Sequence, residues 1–187
     1  MGLLLIEQAF NGLQFGVMLF LIAAGLTLVF GIMDLVNLSH GSLVMVGAYL
    51  ATTLIEWTGS FILGILLALP STFLVGVVVE IVVLRTLYER DHLDQVLATF
   101  GLILFFNELI RIVWGPASLY SGLPESISGH VEILPGVPYP AFRLLIILVG
   151  LLVALLVYFI VARTKLGMLI RAGASNREMA GALGVNC

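Results

Sequence analysis

Long apolar runs separated by short polar stretches dominate this chain and predict a bundle of membrane-spanning helices. A helix needs roughly 20 predominantly apolar residues to cross the hydrocarbon core of a bilayer. Spans are expected at residues 10–33, 41–56, 61–84, 96–114 and 143–162. The predicted fold class is therefore an all-α polytopic membrane protein with about five transmembrane helices, and residues 1–187 are expected to form one domain.

Polar groups interrupt the apolar pattern between the first two runs. Asp34, Asn37, Ser39 and His40 lie together there and are followed by Gly41. Such groups are costly near lipid unless they face protein or a water-filled path. The segment is therefore a candidate translocation path in which a helix is broken or polar-ended near Asp34–Gly41. The alternative is a cytoplasmic turn in which Asn37 or Ser39 caps the next helix and His40 is only hydrogen-bonded.

Other polar or small residues within the runs have structural interpretations. Gly12 and Gly16 lie four residues apart, a spacing that permits another helix to pack closely. Asn11 is expected to face protein. Glu80 is expected to pair inside the bundle or to reach the interface rather than to bind substrate.

The polar connections predict the topology. Lys and Arg concentrate in residues 85–95 and 163–187, and short loops rich in these residues stay in the cytoplasm. Both segments are expected in water on that side. Residues 115–141, which carry most of the prolines, are then an ordered external loop, and the N-terminus is external.

Composition excludes several classes of protein. The chain is 61% hydrophobic and 10% charged, whereas soluble domains are roughly 45–50% apolar and about 25% charged. Its net charge of −3 and scattered basic residues exclude a nucleic-acid binder. A single cysteine, Cys187, excludes an internal disulfide and a cysteine-based metal site.

Enzyme chemistry has no supporting constellation in the sequence. There is no phosphate-binding P-loop, so ATP hydrolysis is not expected here. His40, His92 and His130 lie in three different segments without metal-ligand spacing, and no nucleophile has an identifiable base. Neither a catalytic residue, nor a metal site, nor a bound cofactor is therefore predicted on this chain.

The C-terminal tail contains a helix-capping signature. A serine followed three residues later by glutamate, Ser175 and Glu178, fits a capping box and predicts a short helix from about Asn176. Met179 and Leu183 then share one face. A helix of two turns is too short to persist alone, so it is expected to dock either on its own bundle or on a partner.

Two sets of residues resemble the permease subunits of branched-chain amino acid ABC importers. The N-terminal set is Asn11-Gly12-Leu13, Gly25–Gly31, Asn37–Gly41 and Met45–Tyr49. The tail set, which resembles the cytoplasmic loop that contacts the ATPase in that family, is Thr164–Met168, Arg171-Ala172, Asn176, Ala180 and Leu183–Asn186. The two sets stand at the family's usual separation, and the resemblance covers nearly the whole chain.

This resemblance implies a transmembrane subunit of the bacterial inner membrane that forms the path for branched-chain amino acids. The implied partners are a second homologous permease, two cytoplasmic ATPases that bind ATP and Mg, an external substrate-binding protein and membrane lipid. The implied path residues are Asp34, Asn37, Ser39, His40 and Gly41. The implied ATPase-docking residues are Arg171, Ala172, Ser175, Asn176, Glu178, Met179, Ala180, Leu183 and Gly184. Family members continue past this loop, so the chain is expected to be C-terminally truncated.

Three alternatives remain open from the residues. Related permeases carry urea or short amides, so the substrate is not fixed by the resemblance. An ion-coupled secondary carrier would use Asp34, Glu80 and Glu108 as coupling charges, and a purely structural membrane scaffold is a third possibility. The capped cytoplasmic helix, which a carrier without a partner does not need, argues against the carrier. Glu108 and Arg111 are three residues apart and are expected to pair on one helix face.

Overall fold

Apolar runs form long helices in the computed structural model, which describes residues 2–33, 35, 37–88, 90–117, 119, 124, 128–134, 137–175 and 179. The helices are α1 (Gly2–Met33), α2 (His40–Thr58), α3 (Phe61–Val82), α4 (His92–Trp114), α5 (Ala141–Arg163) and α6 (Lys165–Ser175). Two short strands, β1 (His130–Leu134) and β2 (Val137–Pro140), lie between α4 and α5. The predicted all-α class is confirmed, with a small hairpin added.

Four of the described helical segments are long and apolar enough to cross a membrane. These segments are Leu4–Phe30, Phe61–Leu87, His92–Trp114 and Ala141–Arg163. The chain is therefore a multi-pass membrane protein. Helix α2 has 19 residues but is not among the four, so the predicted count of about five spans stays a prediction.

The chain divides into two compact units, of which the second comprises residues 33–123. Within it, α2 and α3 form a helical hairpin that turns at Gly59, whose φ of 63° lies in the left-handed region that favours glycine. Gly64 then passes so close to α2 that an added Cβ would lie 2.6 Å from the Cα of Ile55. A larger residue at Gly64 would therefore push the hairpin apart.

Helix α2 also packs against α4 and completes the core of this unit. The Trp114 indole N–H donates a hydrogen bond to Thr53 Oγ1 at 2.8 Å, and its ring lies against Tyr49. The buried apolar side chains of this core are Leu35, Val46, Val79, Leu84, Phe106 and Ile110. One side of α4 is thus committed to α2.

The connection between α3 and α4 departs from the prediction that residues 85–95 lie in water. Gln95 is 3% exposed and belongs to α4, which begins at His92 rather than near Val96. Its side-chain amide donates to the carbonyls of Leu87 and Arg90 at 3.2 and 3.1 Å. Gln95 is buried because its side-chain amide replaces water as the hydrogen-bond donor to these two carbonyls, which the short turn leaves without a backbone partner.

Glu80 has a partner within the same unit. The Tyr88 hydroxyl donates a hydrogen bond to Glu80 Oε1. This contact confirms the prediction that Glu80 pairs inside the bundle.

The other unit comprises residues 1–32 and 124–187. Its helices α1 and α5 approach closely at Gly150, where an added Cβ would collide with Cγ1 of Val17. Among the described residues no atom lies within 4 Å of a Cβ built at Gly12 or Gly16, so close packing at that pair stays a prediction and is not what brings α1 and α5 together. The small residue that permits the approach is on α5 instead.

A polar cluster also joins α1 to the start of α5. Asn11 Oδ1 accepts hydrogen bonds from the Tyr139 hydroxyl at 3.1 Å and from Arg143 Nη1 at 2.6 Å. Tyr139 is fully buried and its ring lies 5.6 Å from that of Phe10. The expectation that Asn11 faces protein is confirmed.

Strands β1 and β2 pair antiparallel within the segment predicted to be a loop. His130 lies opposite Pro140, and Glu132 lies opposite Pro138. Prolines are tolerated on strands that have an unpaired edge, and a two-stranded ribbon has one on each side. The hairpin ends directly at α5, so it fixes where that helix begins.

Candidate translocation and docking segments

The polar segment before α2 is a hydrogen-bonded turn in the structure. Asn37 Oδ1 accepts from the Ser39 backbone N–H at 3.0 Å and from Ser39 Oγ at 2.6 Å. Asn37 is 3% exposed and Ser39 is fully buried. Ser39 occupies the N-cap position of α2, but its side chain makes no capping bond; its hydroxyl donates to Asn37 Oδ1.

These contacts form a turn at Asn37 and Ser39, but the expected cap of α2 by the Ser39 side chain is not made. An asparagine that accepts hydrogen bonds from the residue two positions later is a common way to start a helix. Leu35, two residues before Asn37, is fully buried in the core. The turn therefore lies between this buried residue and the start of α2. Whether the segment also lines a path stays a prediction.

His40 and Gly41 differ from the two residues before them. His40 is half-buried and Gly41 is exposed. Within the described part of the chain, His40 makes no hydrogen bond. These two are therefore the predicted path residues that can face water or substrate, whereas Asp34 lies outside the described residues.

The tail contains a helix that begins earlier than the one predicted from about Asn176. Helix α6 starts at Lys165, and Thr164 precedes it with extended backbone angles. Thr164 Oγ1 accepts the backbone N–H of Gly167 at 3.2 Å, which is the capping contact from the N-cap to the third helical residue. The cap of this segment is thus Thr164.

The prediction that Ser175 caps a helix start is wrong, because Ser175 is the last residue of α6 and has helical conformation. An N-cap residue must leave the helical region so that its side chain can reach back. Met179 is helical and 64% exposed. The other predicted docking residues of this stretch, Asn176, Glu178, Ala180, Leu183 and Gly184, lie outside the described residues.

Helix α6 is held against the end of α5. Gly167 is buried where an added Cβ would collide with the carbonyl oxygens of Ile160 and Val161. The Arg171 guanidinium donates to the Val161 carbonyl. Arg171, predicted to dock the ATPase, therefore makes an intramolecular contact, while its neighbour Ala172 is exposed.

The outer face of α6 is apolar and exposed. Leu166 is 65%, Met168 61% and Leu169 43% exposed. These side chains lie beside the cationic residues Arg163 and Lys165, which are also exposed. Apolar area of this kind beside a membrane helix requires a protein or lipid surface to cover it.

Exposed polar side chains lie on α4, where the sequence predicts an ion pair between Glu108 and Arg111. Asn107, Glu108 and Arg111 are all exposed. Among the described residues neither charge has an ion-pair partner, so the expected pairing of Glu108 with Arg111 is absent. Sequence reasoning treated the two charges as a local pair and therefore missed that α4 presents a polar face.

Comparisons with known proteins agree with the resemblance. Residues 8–187 match the family described as the branched-chain amino acid transport system permease component. The permease protein BraD of Pseudomonas aeruginosa is 29% identical over 97% of this chain and 62% of its own length. LivH of Escherichia coli K12 is 26% identical with the same coverage.

An archaeal relative extends the match. A probable LivH of Methanocaldococcus jannaschii is 28% identical over 90% of this chain and 55% of its own length. The chain thus spans about three-fifths of the curated relatives it matches, and no solved structure matches it. Because the family match covers nearly the whole sequence, the chain belongs to the permease-component family of branched-chain amino acid transport systems.

Proposed function

We propose that the chain is part of the transmembrane permease subunit of an ATP-binding-cassette importer for branched-chain amino acids. The observation that carries this proposal is the family match over residues 8–187. BraD and the Escherichia coli LivH are named as high-affinity branched-chain amino acid transport system permease proteins. The four apolar membrane helices fit such a subunit.

The proposed assembly contains a second homologous permease, two cytoplasmic ATPases and an external binding protein in the inner membrane, with the N-terminus of this chain outside. ATP and Mg bind to the ATPases, and this chain binds no cofactor. Closure of the ATPases on ATP moves the docked cytoplasmic segment, and the helices reorient around a central path. In this mechanism the chain orients the substrate and controls its access to the path, and it performs no covalent chemistry.

The tail after α5 is proposed as the docking segment. Support comes from the exposed apolar residues Leu166, Met168 and Leu169 and from the contacts that hold α6 to α5. An ATPase that binds such a segment gains apolar contact area. It also acts on a helix that cannot swing independently of the membrane span.

Uptake of radiolabelled leucine into vesicles tests the proposal. The full-length permease is reconstituted with its ATPases, the second permease and the binding protein, and uptake is expected only with ATP inside. Isoleucine and valine are expected to compete, and urea is not. ATP-independent uptake driven by an ion gradient would contradict the importer assignment.

Two substitutions test the proposed path. His40→Leu and Asn37→Leu are each expected to reduce uptake with unchanged membrane levels, because both residues belong to the proposed path. Asn37→Asp keeps an oxygen acceptor for Ser39, so it is the matched control for the turn, whereas Asn37→Leu removes that acceptor. Normal uptake by both His40→Leu and Asn37→Leu would reduce the segment to a structural turn.

One substitution tests docking. Ala180→Asp puts a carboxylate into the proposed contact, where an unpaired buried charge is costly, and is expected to abolish co-purification of the ATPase. Ala180→Ser changes size little and is expected to keep it. Wild-type retention of the ATPase by Ala180→Asp would contradict docking through this segment.

A further inference from the structure

Three half-buried polar side chains lie on one face of α1. They are spaced four and three residues apart, which places them on the same side of a helix, and we call them the α1 stripe: Glu7, Asn11 and Gln14. The buried Val17, which contacts α5, continues this face. The nearby apolar residues Leu13 and Phe15 are 46% and 63% exposed. The α1 stripe is therefore on the side of α1 that faces α5, away from lipid.

A cation of α5 meets the α1 stripe. Arg143 Nη1 donates a hydrogen bond to Asn11 Oδ1 at 2.6 Å. A guanidinium has five N–H donors, and within the described part of the chain neither the rest of Arg143 nor the Asn11 NH₂ group makes another hydrogen bond. Farther along both helices, Val17 meets Gly150. Helices α1 and α5 therefore run parallel, and these polar groups lie near the first residues of both.

The acid of the α1 stripe and the base of α5 stand apart. Glu7 lies one helical turn before Asn11, at a Cβ separation of about 5–6 Å. Among the described residues, Glu7 and Arg143 pair neither with each other nor with another charge. The ammonium and carboxylate groups of an α-amino acid are attached to one carbon atom. An acid and a base that are separated by about one helical turn complement such a ligand.

We propose that Glu7, Asn11 and Arg143 form a recognition site for the charged groups of an α-amino acid. Arg143 and the Asn11 NH₂ group donate to the substrate carboxylate, and the Glu7 carboxylate accepts from its ammonium group. Phe10, half-buried on the same side of α1, offers apolar surface to the substrate side chain. In the predicted topology both helices begin outside the membrane, which is the side from which an importer receives its substrate.

Gln14 extends the site along α1. It lies about 15 Å along the helix from Leu4, where the apolar segment begins. Its side chain makes no hydrogen bond within the described residues. A polar group at this depth needs protein partners or water, and Gln14 provides the next polar contact for a substrate that moves inward between α1 and α5.

This inference deepens the proposed function and rests on it for the identity of the substrate. It is tested by binding of radiolabelled leucine to the full-length protein in lipid nanodiscs, without ATPase or binding protein. Two analogues of leucine serve as competitors. Isocaproate lacks the ammonium group, and isoamylamine lacks the carboxylate.

Leucine is expected to bind saturably, about tenfold more tightly than either analogue, because each analogue loses one charged hydrogen-bonding group. Glu7→Gln is expected to weaken leucine about tenfold and to leave isocaproate unchanged. Arg143→Gln is expected to weaken leucine and isocaproate and to leave isoamylamine unchanged. Glu132→Gln and Arg85→Gln, which remove exposed charges elsewhere, are the matched controls and are expected to keep wild-type affinity.

Two outcomes would overturn the site. One is the absence of saturable leucine binding to the wild-type protein, which is expected if another segment of the full-length chain occupies these groups. The other is an equal loss of leucine and both analogues in the Glu7→Gln and Arg143→Gln variants, because that pattern reports a folding role rather than recognition of one charge.

A lipid head group is the rival ligand, because phosphatidylethanolamine also carries an ammonium group beside an anion. Leucine binding is therefore compared in nanodiscs of phosphatidylcholine and phosphatidylglycerol with and without phosphatidylethanolamine. Equal binding is expected in both. Loss of leucine binding when phosphatidylethanolamine is present would assign the site to lipid and overturn the proposal.

Failure of the inference and failure of the proposed function are distinguishable. Leucine binding that depends on Glu7 and Arg143 as described, in a protein whose uptake needs no ATP, would keep the site and contradict the importer assignment. ATP-driven leucine uptake with an unchanged KM in both Glu7→Gln and Arg143→Gln would do the opposite.

Discussion

Substitution of Gly150 by alanine is expected to loosen the unit that contains α1 and α5. The added methyl group would collide with Cγ1 of Val17, while Cβ of Val17 lies 3.6 Å away. Valine in a helix has one strongly preferred side-chain rotamer, so the colliding methyl cannot turn away without cost. Overpacking of this kind costs about 1–3 kcal/mol.

An opposing effect reduces this cost. Alanine is a better helix former than glycine by about 0.8–1.0 kcal/mol, so Gly150→Ala is expected to be destabilising by about 0–2 kcal/mol overall. Gly76→Ala on α3 is the matched control, because nothing lies within 4 Å of a Cβ built there. That control receives the helix-propensity gain without the collision and is expected to be neutral or stabilising.

The assay is reversible unfolding in bicelles, followed with a double-mutant cycle. Val17→Ala removes the colliding methyl group, so the cost of Gly150→Ala is expected to shrink or vanish in the Val17→Ala background. A coupling of about 0.5–3 kcal/mol is typical for contacting residues. Additive effects of the two substitutions, or equal behaviour of Gly150→Ala and Gly76→Ala, would refute the close contact of α1 with α5.

Three further outcomes are expected. Thr164→Ala removes the cap of α6 and is expected to weaken amide protection of residues 165–170 by about 0.5–2 kcal/mol in hydrogen exchange, whereas Thr164→Ser retains it; equal protection in both variants would contradict the cap. Gln95→Leu leaves the carbonyls of Leu87 and Arg90 without their donor and is expected to lower the free energy of unfolding by about 1–3 kcal/mol in thermal unfolding. Gln95→Glu supplies an acceptor instead of a donor, so it is expected to be destabilising as well. In the Cys187→Ser background, an impermeant thiol reagent added to intact cells is expected to label His130→Cys and not Ser175→Cys; the reverse pattern would overturn the predicted topology.

The helices of this chain could be predicted because apolar runs of membrane-spanning length have few alternatives. In hydrocarbon every backbone polar group must be satisfied within the segment, which selects helices. The turn at Gly59 lies between the predicted spans 41–56 and 61–84, and glycine tolerates the left-handed backbone that ends α2. Local composition and the physics of the bilayer were sufficient for these features.

The tail was predicted less well because the cap that forms has no signature in the sequence. Ser175 has Glu178 at capping-box spacing and therefore predicts a helix start near Asn176. Thr164 has Gly167 at the equivalent position and so lacks that signature, yet it makes the observed cap. What favours Thr164 is tertiary: Gly167 has to lie against the last carbonyls of α5, and only the folded chain shows that close approach.

The polar face of α4 was missed for a related reason. The spacing of Glu108 and Arg111 is that of an ordinary helical ion pair, and a pair of that kind requires nothing outside its own helix. Asn107 is exposed beside these two charges. In lipid, its amide and both charges would need polar partners outside their own helix. The spacing of residues within one helix therefore cannot distinguish an ion pair on that helix from polar groups that contact another segment.

The contacts within the first unit connect the proposed docking segment to the membrane. Gly167 and Arg171 fix α6 to the last turn of α5, and Gly150 fixes the middle of α5 to Val17 on α1. Close-packed helices shift as bodies rather than deform continuously. If the proposed docking is right, a partner that moves α6 is expected to move α5 and, through the contact at Gly150, to act on α1 as well. A loosened contact at Gly150 should accordingly lower the uptake obtained per ATP hydrolysed before it lowers ATPase binding, since binding depends on the tail and transmission depends on the packing above it.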